Sequence, residues 1–316
     1  MTPDQATQTH SQHVLAVHSG ALGDVVLFGR ILEALRTDVT LVAGREKAQL
    51  LHGLMVADDT RDFELMPMQE LFTDEPLEDC RLPKLLGQTD RLISCFAAGN
   101  RLAEMRLAAA CNARSAAFLP IRPDPDSSAH LVELWADMLG IPLDIGKLRA
   151  WTVPHTWRAG AAARLEKAGV DPSKPYAIIQ PGSGSPSKCW PLERFLELAT
   201  SLSEQTQVVF LFGPVEGEQW PKETLRLVSS SYTCLANVPL HAVTGILAGA
   251  ALYVGNDSGV THVSGAIGTP TVAIFGSSNP RHFAPLGPRV QLVIGRSMDE
   301  VPVDAVLEGA REANPS

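Results

Sequence analysis

A regular alternation constrains this chain more than any other feature of it. Short runs rich in Val, Ile and Leu take turns with amphipathic helical stretches along the whole length. In the first half, Val14–Val17, Val39–Val42, Arg91–Phe96 and Ala116–Leu119 read as strands; in the second, Ala177–Gln180, Val208–Phe212, Leu252–Val254 and Val272–Phe275 do. Helical patterns lie between them, including Val25–Arg36 and Arg101–Ala110, and a last helix is expected over Val303 to Ala313. Such alternation predicts an α/β protein, with parallel sheets covered by helices on both faces. The pattern starts twice. Val14-Leu15-Ala16-Val17 runs into one glycine-containing loop, and Ala177-Ile178-Ile179-Gln180 into another. Between these starts lie an Ala- and Arg-rich helical stretch, Thr156 to Ala168, and the turn Asp171-Pro172-Ser173-Lys174-Pro175. Two domains are therefore expected, residues 1–160 and 161–316. A chain of 316 residues is long enough to build both.

Composition removes several classes. Apolar residues make up 45% and charged residues 19%, as in a globular protein. The net charge of −9 argues against a general nucleic-acid binder, and gives no support to a broad basic membrane-binding face. No apolar run approaches the ~18–20 residues of a membrane helix. The polar start, Met1 to His13, lacks the basic and apolar regions of a secretory signal, so a cytoplasmic location is expected. The five cysteines, Cys80, Cys95, Cys111, Cys189 and Cys234, form no Cys-x-x-Cys pair and read as reduced thiols in or near the core.

Three motifs could carry chemistry. In His18-Ser19-Gly20-Ala21-Leu22-Gly23-Asp24-Val25-Val26, a strand enters a loop with two glycines and a helix begins at or just after Asp24. Ligands of open parallel sheets bind beyond the carboxyl ends of strands, where this loop must lie. Asp24 alone is equally a helix N-cap. The second motif, Gln180-Pro181-Gly182-Ser183-Gly184-Ser185-Pro186-Ser187-Lys188-Cys189-Trp190-Pro191, places small hydroxyl residues and backbone amides before a helix, with a lysine cation beside them. That arrangement suits a diphosphate; the plainer alternative is a surface loop with a solvated lysine. The third, Gly255-Asn256-Asp257-Ser258-Gly259-Val260-Thr261-His262, again aims a helix N-terminus out of a strand end, where the dipole favours an anion. Here Asp257 could simply cap the helix and His262 could be structural. Asp124-Pro125-Asp126 matches a metal-binding Asp-x-Asp pattern, but its Pro-rich setting reads as a turn.

In order and spacing, the three motifs together resemble glycosyltransferase family 9, the ADP-heptose:lipopolysaccharide heptosyltransferases. Gly23-Asp24-Val25-Val26-Leu27 is similar to that family's Gly-Asp loop. Pro181 to Pro191 is similar to its phosphate loop, and Gly255 to His262, with Gly268-Thr269-Pro270 and Phe275-Gly276, to its Asn-Asp-Ser-Gly segment. The resemblance implies a GT-B fold, two Rossmann-like domains facing a cleft, with the acceptor on the first domain and the nucleotide sugar on the second. It implies an inverting, metal-independent transfer that needs no cofactor, from ADP-heptose to a saccharide or lipid-linked saccharide. A lipid-linked acceptor would bring the protein to the inner membrane surface. In the implied roles, Asp24 is the general base and Lys188 neutralises the leaving diphosphate. Ser183, Ser185 and the amides around Ser258 and Gly259 hold phosphates, Asp257 lies near the sugar, and Glu216 meets the ribose. Gly23, Ser187 and His262 complete the expected substrate-binding set. Phe28-Gly29-Arg30 departs from the family, which often has a proline there. Arg30, Arg101 and Arg106 are candidates to meet an anionic acceptor. Two other readings fit the same motifs: a transferase or epimerase for another nucleotide sugar, and a nucleotide-sugar-binding protein without catalysis.

Overall fold

A computed structural model of the protein describes residues 12–213, 216, 220–276 and 278–314. Two parallel sheets form its frame. The first joins β1 (Val14–Val17), β2 (Val39–Ala43), β3 (Asp59–Asp62), β4 (Arg91–Ser94) and β5 (Ser115–Phe118) in the order β3-β2-β1-β4-β5. The second joins β6 (Tyr176–Gln180), β7 (Gln207–Phe212), β8 (Thr233–Ala236), β9 (Leu252–Asn256), β10 (Thr271–Phe275) and β11 (Val290–Ile294) in the order β11-β10-β9-β6-β7-β8. All eight strands expected from the apolar runs are present, with ends moved by one or two residues. Three more, β3, β8 and β11, lie at or beside sheet edges, where partial exposure relaxes the demand for apolar residues.

The helices of the first half are α1 (Leu22–Leu35), α2 (Arg45–Gly53), α3 (Leu82–Leu86), α4 (Arg101–Ala110) and α5 (Leu131–Leu139). Those of the second are α6 (His155–Lys167), α7 (Leu192–Leu202), α8 (Lys222–Ser231), α9 (Leu240–Gly249), α10 (Gly259–Ala266), α11 (Pro280–Phe283) and α12 (Val303–Ala313). The division expected at residue 160 falls inside α6, and the two sheets lie on either side of it.

Strand pleating sorts side chains between cores. On β1, Val14 and Ala16 enter a core that also takes Ile178 from β6 and Tyr253 from β9, so a single apolar core joins the two sheets. Leu15 and Val17 point the other way, into a core under α4. Ala177 and Ile179 of β6 enter a third core, with Phe195 of α7 and Val306 of α12.

Arg30 fastens the two halves from behind. It is 1% exposed. Its guanidinium donates to the carbonyls of Arg149 (2.9 Å), Ala266 (3.1 Å) and Leu286 (3.2 Å), and to Glu33 (3.1 Å). The same group lies 4.4 Å from the Trp151 ring centroid, a cation–π contact. Ala266 is the last residue of α10, so the cation sits at that helix's negative end. Arg30 thus binds protein, not an acceptor. Arg106 is committed too, donating to the Glu70 and Glu75 carbonyls at 2.9 and 2.7 Å.

Candidate functional site

Both sheets turn their carboxyl ends toward one cavity of about 1180 Å³. Strand order reverses between β1 and β4 in the first sheet and between β6 and β9 in the second. The loops after those four strands form much of the cavity wall, as expected for topological switch points.

One wall is built around α1. The helix starts at Leu22, earlier than the sequence pattern indicates, so Asp24 is its third residue rather than its cap. The Asp24 carboxylate accepts the Ala21 N–H at 3.3 Å and also lines the cavity. The helix-terminus and cavity-facing readings of Asp24 therefore hold together. Burial raises its pKa above the ordinary carboxylate value, against a lowering pull from His262 and Lys188. Opposite, the N-terminus of α10 comes into close contact. A β-carbon on Gly23 would lie 2.9 Å from His262 Cδ2, and one on Gly259 would lie 2.6 Å from Leu22 Cβ. Glycine at both positions lets the two helix starts meet across the domain boundary.

The other wall is a connected polar assembly. Lys188 Nζ donates to Asp257 Oδ2 at 2.6 Å, and Ser183 Oγ donates to the Asp257 carbonyl at 2.6 Å. Ser258 caps α10 by accepting the Thr261 N–H at 3.4 Å, and donates its own proton to Gln180 Oε1 at 2.8 Å. The same oxygen accepts the Tyr253 hydroxyl at 2.7 Å. Asn256 Nδ2 donates to the Pro181 carbonyl at 2.7 Å, and Asn256 Oδ1 accepts the Trp190 N–H at 3.0 Å. These bonds tie the loop after β6 to the loop after β9. Gln180, Tyr253 and Asn256 were not singled out as site residues by the motifs. A signal was available for Gln180 and Asn256, each a polar residue ending an otherwise apolar strand.

Asp257 is the electrostatic opposite of Asp24. Burial pushes its pKa up, but His262 and Lys188 outweigh that and hold it well below the usual carboxylate range. His262 Nε2 is 3.7 Å from Asp257 Oδ1, beyond hydrogen-bond reach, so Lys188 is the close partner.

Gly23, Asp24, Ser183, Ser185, Lys188, Asp257, Ser258, Gly259 and His262 all line the one cavity. Ser187 and Glu216 do not. Ser187 lies in a 3-10 turn (Pro186–Lys188), with its hydroxyl 3.0 Å from that of Ser185. Glu216 is buried behind the loops, where it accepts the Gly213 N–H at 2.9 Å. The Asp124 carboxylate accepts the Asp126 N–H at 2.9 Å in the expected turn. Among the described residues, no group of three or more His, Cys, Asp and Glu is placed to hold a metal ion.

Comparison with known proteins gives a consistent assignment. Lipopolysaccharide heptosyltransferase 2 of Salmonella typhimurium is 29% identical over 185 residues, 54% of this chain and 52% of that protein. Lipopolysaccharide heptosyltransferase 1 of Pseudomonas aeruginosa is 29% identical over 151 residues, 48% of this chain and 41% of that protein. The chain thus spans about half the length of the curated relatives it matches, or less. Solved structures agree over nearly all of it. A glycosyl transferase family 9 protein from Veillonella parvula superposes with a TM-score of 0.75 at 19% identity, covering 96% of this chain and 97% of that one. The E. coli ADP-heptose lps heptosyltransferase II gives a TM-score of 0.70 at 17% identity, covering 95% and 98%. The fold is therefore GT-B. The family model described as glycosyltransferase family 9 (heptosyltransferase) matches residues 103–303, well over half of the sequence, and the chain belongs to that family.

Proposed function

We propose that the protein transfers a heptose from ADP-heptose to a hydroxyl of a lipopolysaccharide core or related saccharide, by a single, inverting displacement that needs no metal ion. One observation carries this reading: Asp24 and Lys188 stand on opposite walls of one cavity, each fixed by its own helix or loop.

The acceptor hydroxyl gives its proton to the Asp24 carboxylate as its oxygen forms a bond to the anomeric carbon. The bond from that carbon to the diphosphate oxygen breaks, and its electron pair leaves with ADP. Attack opposite the leaving group inverts the anomeric centre. A carboxylate whose pKa is raised by burial is a better base than an exposed one. Negative charge growing on the diphosphate meets the Lys188 ammonium and the amides at the start of α10, with Ser183 and Ser185 beside them. An ammonium has three donors, so Lys188 can keep Asp257 while it takes up phosphate oxygen. The first domain then serves the acceptor and the second the nucleotide sugar. An acceptor carried on lipid would bring the protein to the inner membrane surface; among the described residues no helix is long and apolar enough to cross a membrane.

The test is to incubate the protein with ADP-heptose and a heptose-deficient core oligosaccharide in EDTA, and to read the new linkage by NMR. Transfer with inverted anomeric configuration is expected. A retained configuration overturns the single displacement. Loss of transfer in EDTA overturns metal independence, and turnover only with another nucleotide sugar moves the donor assignment.

A further inference from the structure

The loop after β4, Cys95 to Gly99, contributes five residues to the first domain's wall of the cavity. Four of them are small. Phe96 is the exception, an aromatic ring that is half-buried and lines the cavity. The backbone is fixed around it. The buried Ser94 hydroxyl donates to the Phe96 carbonyl at 2.7 Å and accepts the Phe96 N–H at 3.1 Å. Ala97 then takes a φ of +65°, a left-handed conformation that is costly for a residue with a β-carbon. Such strain persists where the surroundings impose it, and it gathers at ligand sites. The ring is fixed too. Phe63 and Phe72 pack against it at centroid distances of 5.0 and 6.0 Å, with interplanar angles of 74° and 86°. A rigid, partly exposed aromatic on a cavity wall is suited to a ligand with an apolar face.

The place of Phe96 in the sheet adds a second observation. β1 and β4 are hydrogen-bonded neighbours, with Val17 opposite Ser94, and the Cys95 N–H donates to the Val17 carbonyl at 2.9 Å. The segments that carry Asp24 and Phe96 therefore leave adjacent strands, about 4.8 Å apart. The charge of Asp24 reaches this loop: after burial, it is what raises the pKa of the Cys95 thiol. Ring and carboxylate thus share one wall, while the loops that hold Lys188 and Ser258 form the other.

We infer that Phe96 is an acceptor-binding residue: the acceptor sugar lays the C–H face of its ring on the Phe96 ring and so holds a hydroxyl toward Asp24. This rests on the proposed transfer reaction and adds to it a residue on the acceptor side. The C–H bonds on one face of a sugar ring carry slight positive charge and meet the negative face of an aromatic ring. The hydroxyls at the edge of the sugar stay free for the carboxylate. A contact on this wall acts on acceptor affinity and leaves the nucleotide alone.

The test compares two variants with wild type, using ADP-heptose and a heptose-deficient core oligosaccharide. Phe96→Leu keeps an apolar side chain against Phe63 and Phe72 and removes the aromatic face, whereas Phe96→Tyr keeps that face. We expect Phe96→Leu to raise the acceptor KM by about three- to tenfold, the scale of one aromatic contact, and Phe96→Tyr to stay within about twofold of wild type. Donor KM and ADP affinity should be unchanged in both. An unchanged acceptor KM in Phe96→Leu overturns the inference, as does an equal rise in the two variants. An equal loss of ADP affinity also overturns it, since that would mark a purely structural role. NMR of the oligosaccharide with ADP-bound wild-type protein gives a reading that needs no variant: C–H protons on one face of a sugar ring should shift upfield in the aromatic ring current. Absence of that shift overturns the inference. Its presence supports the inference if Phe96→Leu does not fold; where that variant folds, a shift that persists in it overturns the inference. A wild-type protein that transfers no heptose overturns the proposed function and this inference with it. Wild-type transfer with an unaffected Phe96→Leu overturns the inference alone.

Discussion

The two walls of the cavity are built on opposite plans. On the second domain's wall, polar groups are joined to one another. Lys188 holds Asp257, Ser183 holds the Asp257 backbone, and Ser258 and Tyr253 share Gln180. On the first domain's wall the side chains stand more alone, with Asp24 held by one long backbone bond and His18 Nε2 unpartnered among the described residues. The carboxylates follow the same division. Burial dominates at Asp24 and raises its pKa; at Asp257 burial is outweighed by His262 and Lys188, and the pKa falls. In the proposed reaction, the second domain's wall takes the anionic leaving group. The other keeps a carboxylate poorly satisfied, a state that costs stability and makes it a stronger base.

The largest expected effect breaks the acceptor side. Asp24→Asn should lower kcat by about 10²–10⁴-fold, the usual contribution of a general base; a steady-state assay with saturating substrates checks it. Next comes the donor side. Lys188→Met should cost about 10²–10³-fold in kcat/KM, the scale for losing one electrostatic contact to developing charge, and should also weaken ADP binding. A loss confined to the acceptor KM would place Lys188 elsewhere in the reaction.

Behind both walls, Arg30→Met should lower stability by about 3 kcal/mol, because it leaves Glu33 and three carbonyls without their buried partner. Denaturant unfolding measures this. A shift below about 0.5 kcal/mol, the scale of an ordinary surface substitution, would remove Arg30 from its interdomain role.

The smallest effects are the most diagnostic, since they differ in sign. The Asp24 pKa is raised in the folded state, so the stability it contributes is present below the unfolded value of 3.8 and is lost as pH rises through the folded value. Asp24→Asn should therefore melt at or above the wild-type temperature at pH 7. The Asp257 pKa is depressed, so its contribution is present above 3.8 and is lost as pH falls below it. Asp257→Asn should melt below wild type at pH 7, with the gap closing in acid. Thermal melts of both variants from pH 3 to 8 check this; the same sign for both would erase the contrast between the walls.

Much of this was legible in the sequence, for identifiable reasons. Buried parallel strands need apolar runs, so eight of the eleven strands among the described residues could be found, and the helices Arg101–Ala110 and Val303–Ala313 kept their ends. That Asp24, Lys188 and Asp257 line the cavity could be read because each follows a strand closely, in the connecting loop or the first turn after it, and parallel sheets present those segments to ligands. Arg30 was not legible. It looks like any charged residue of an amphipathic helix, and its backbone partners lie 119, 236 and 256 residues away, as carbonyls that any residue supplies. The start of α1 was placed late because no side-chain cap marks it; the cap residue is Ala21.

The separation of the two walls is the central claim, and calorimetric titration of ADP into Asp24→Asn and Lys188→Met, beside wild type, tests it most directly. Asp24→Asn should bind ADP within about twofold of wild type while its turnover is lost, and Lys188→Met should bind about tenfold or more weakly, as for loss of a charge-assisted hydrogen bond. If Asp24→Asn loses ADP affinity as fully as Lys188→Met, the walls are not separate, and Asp24 belongs to the donor site rather than to the acceptor.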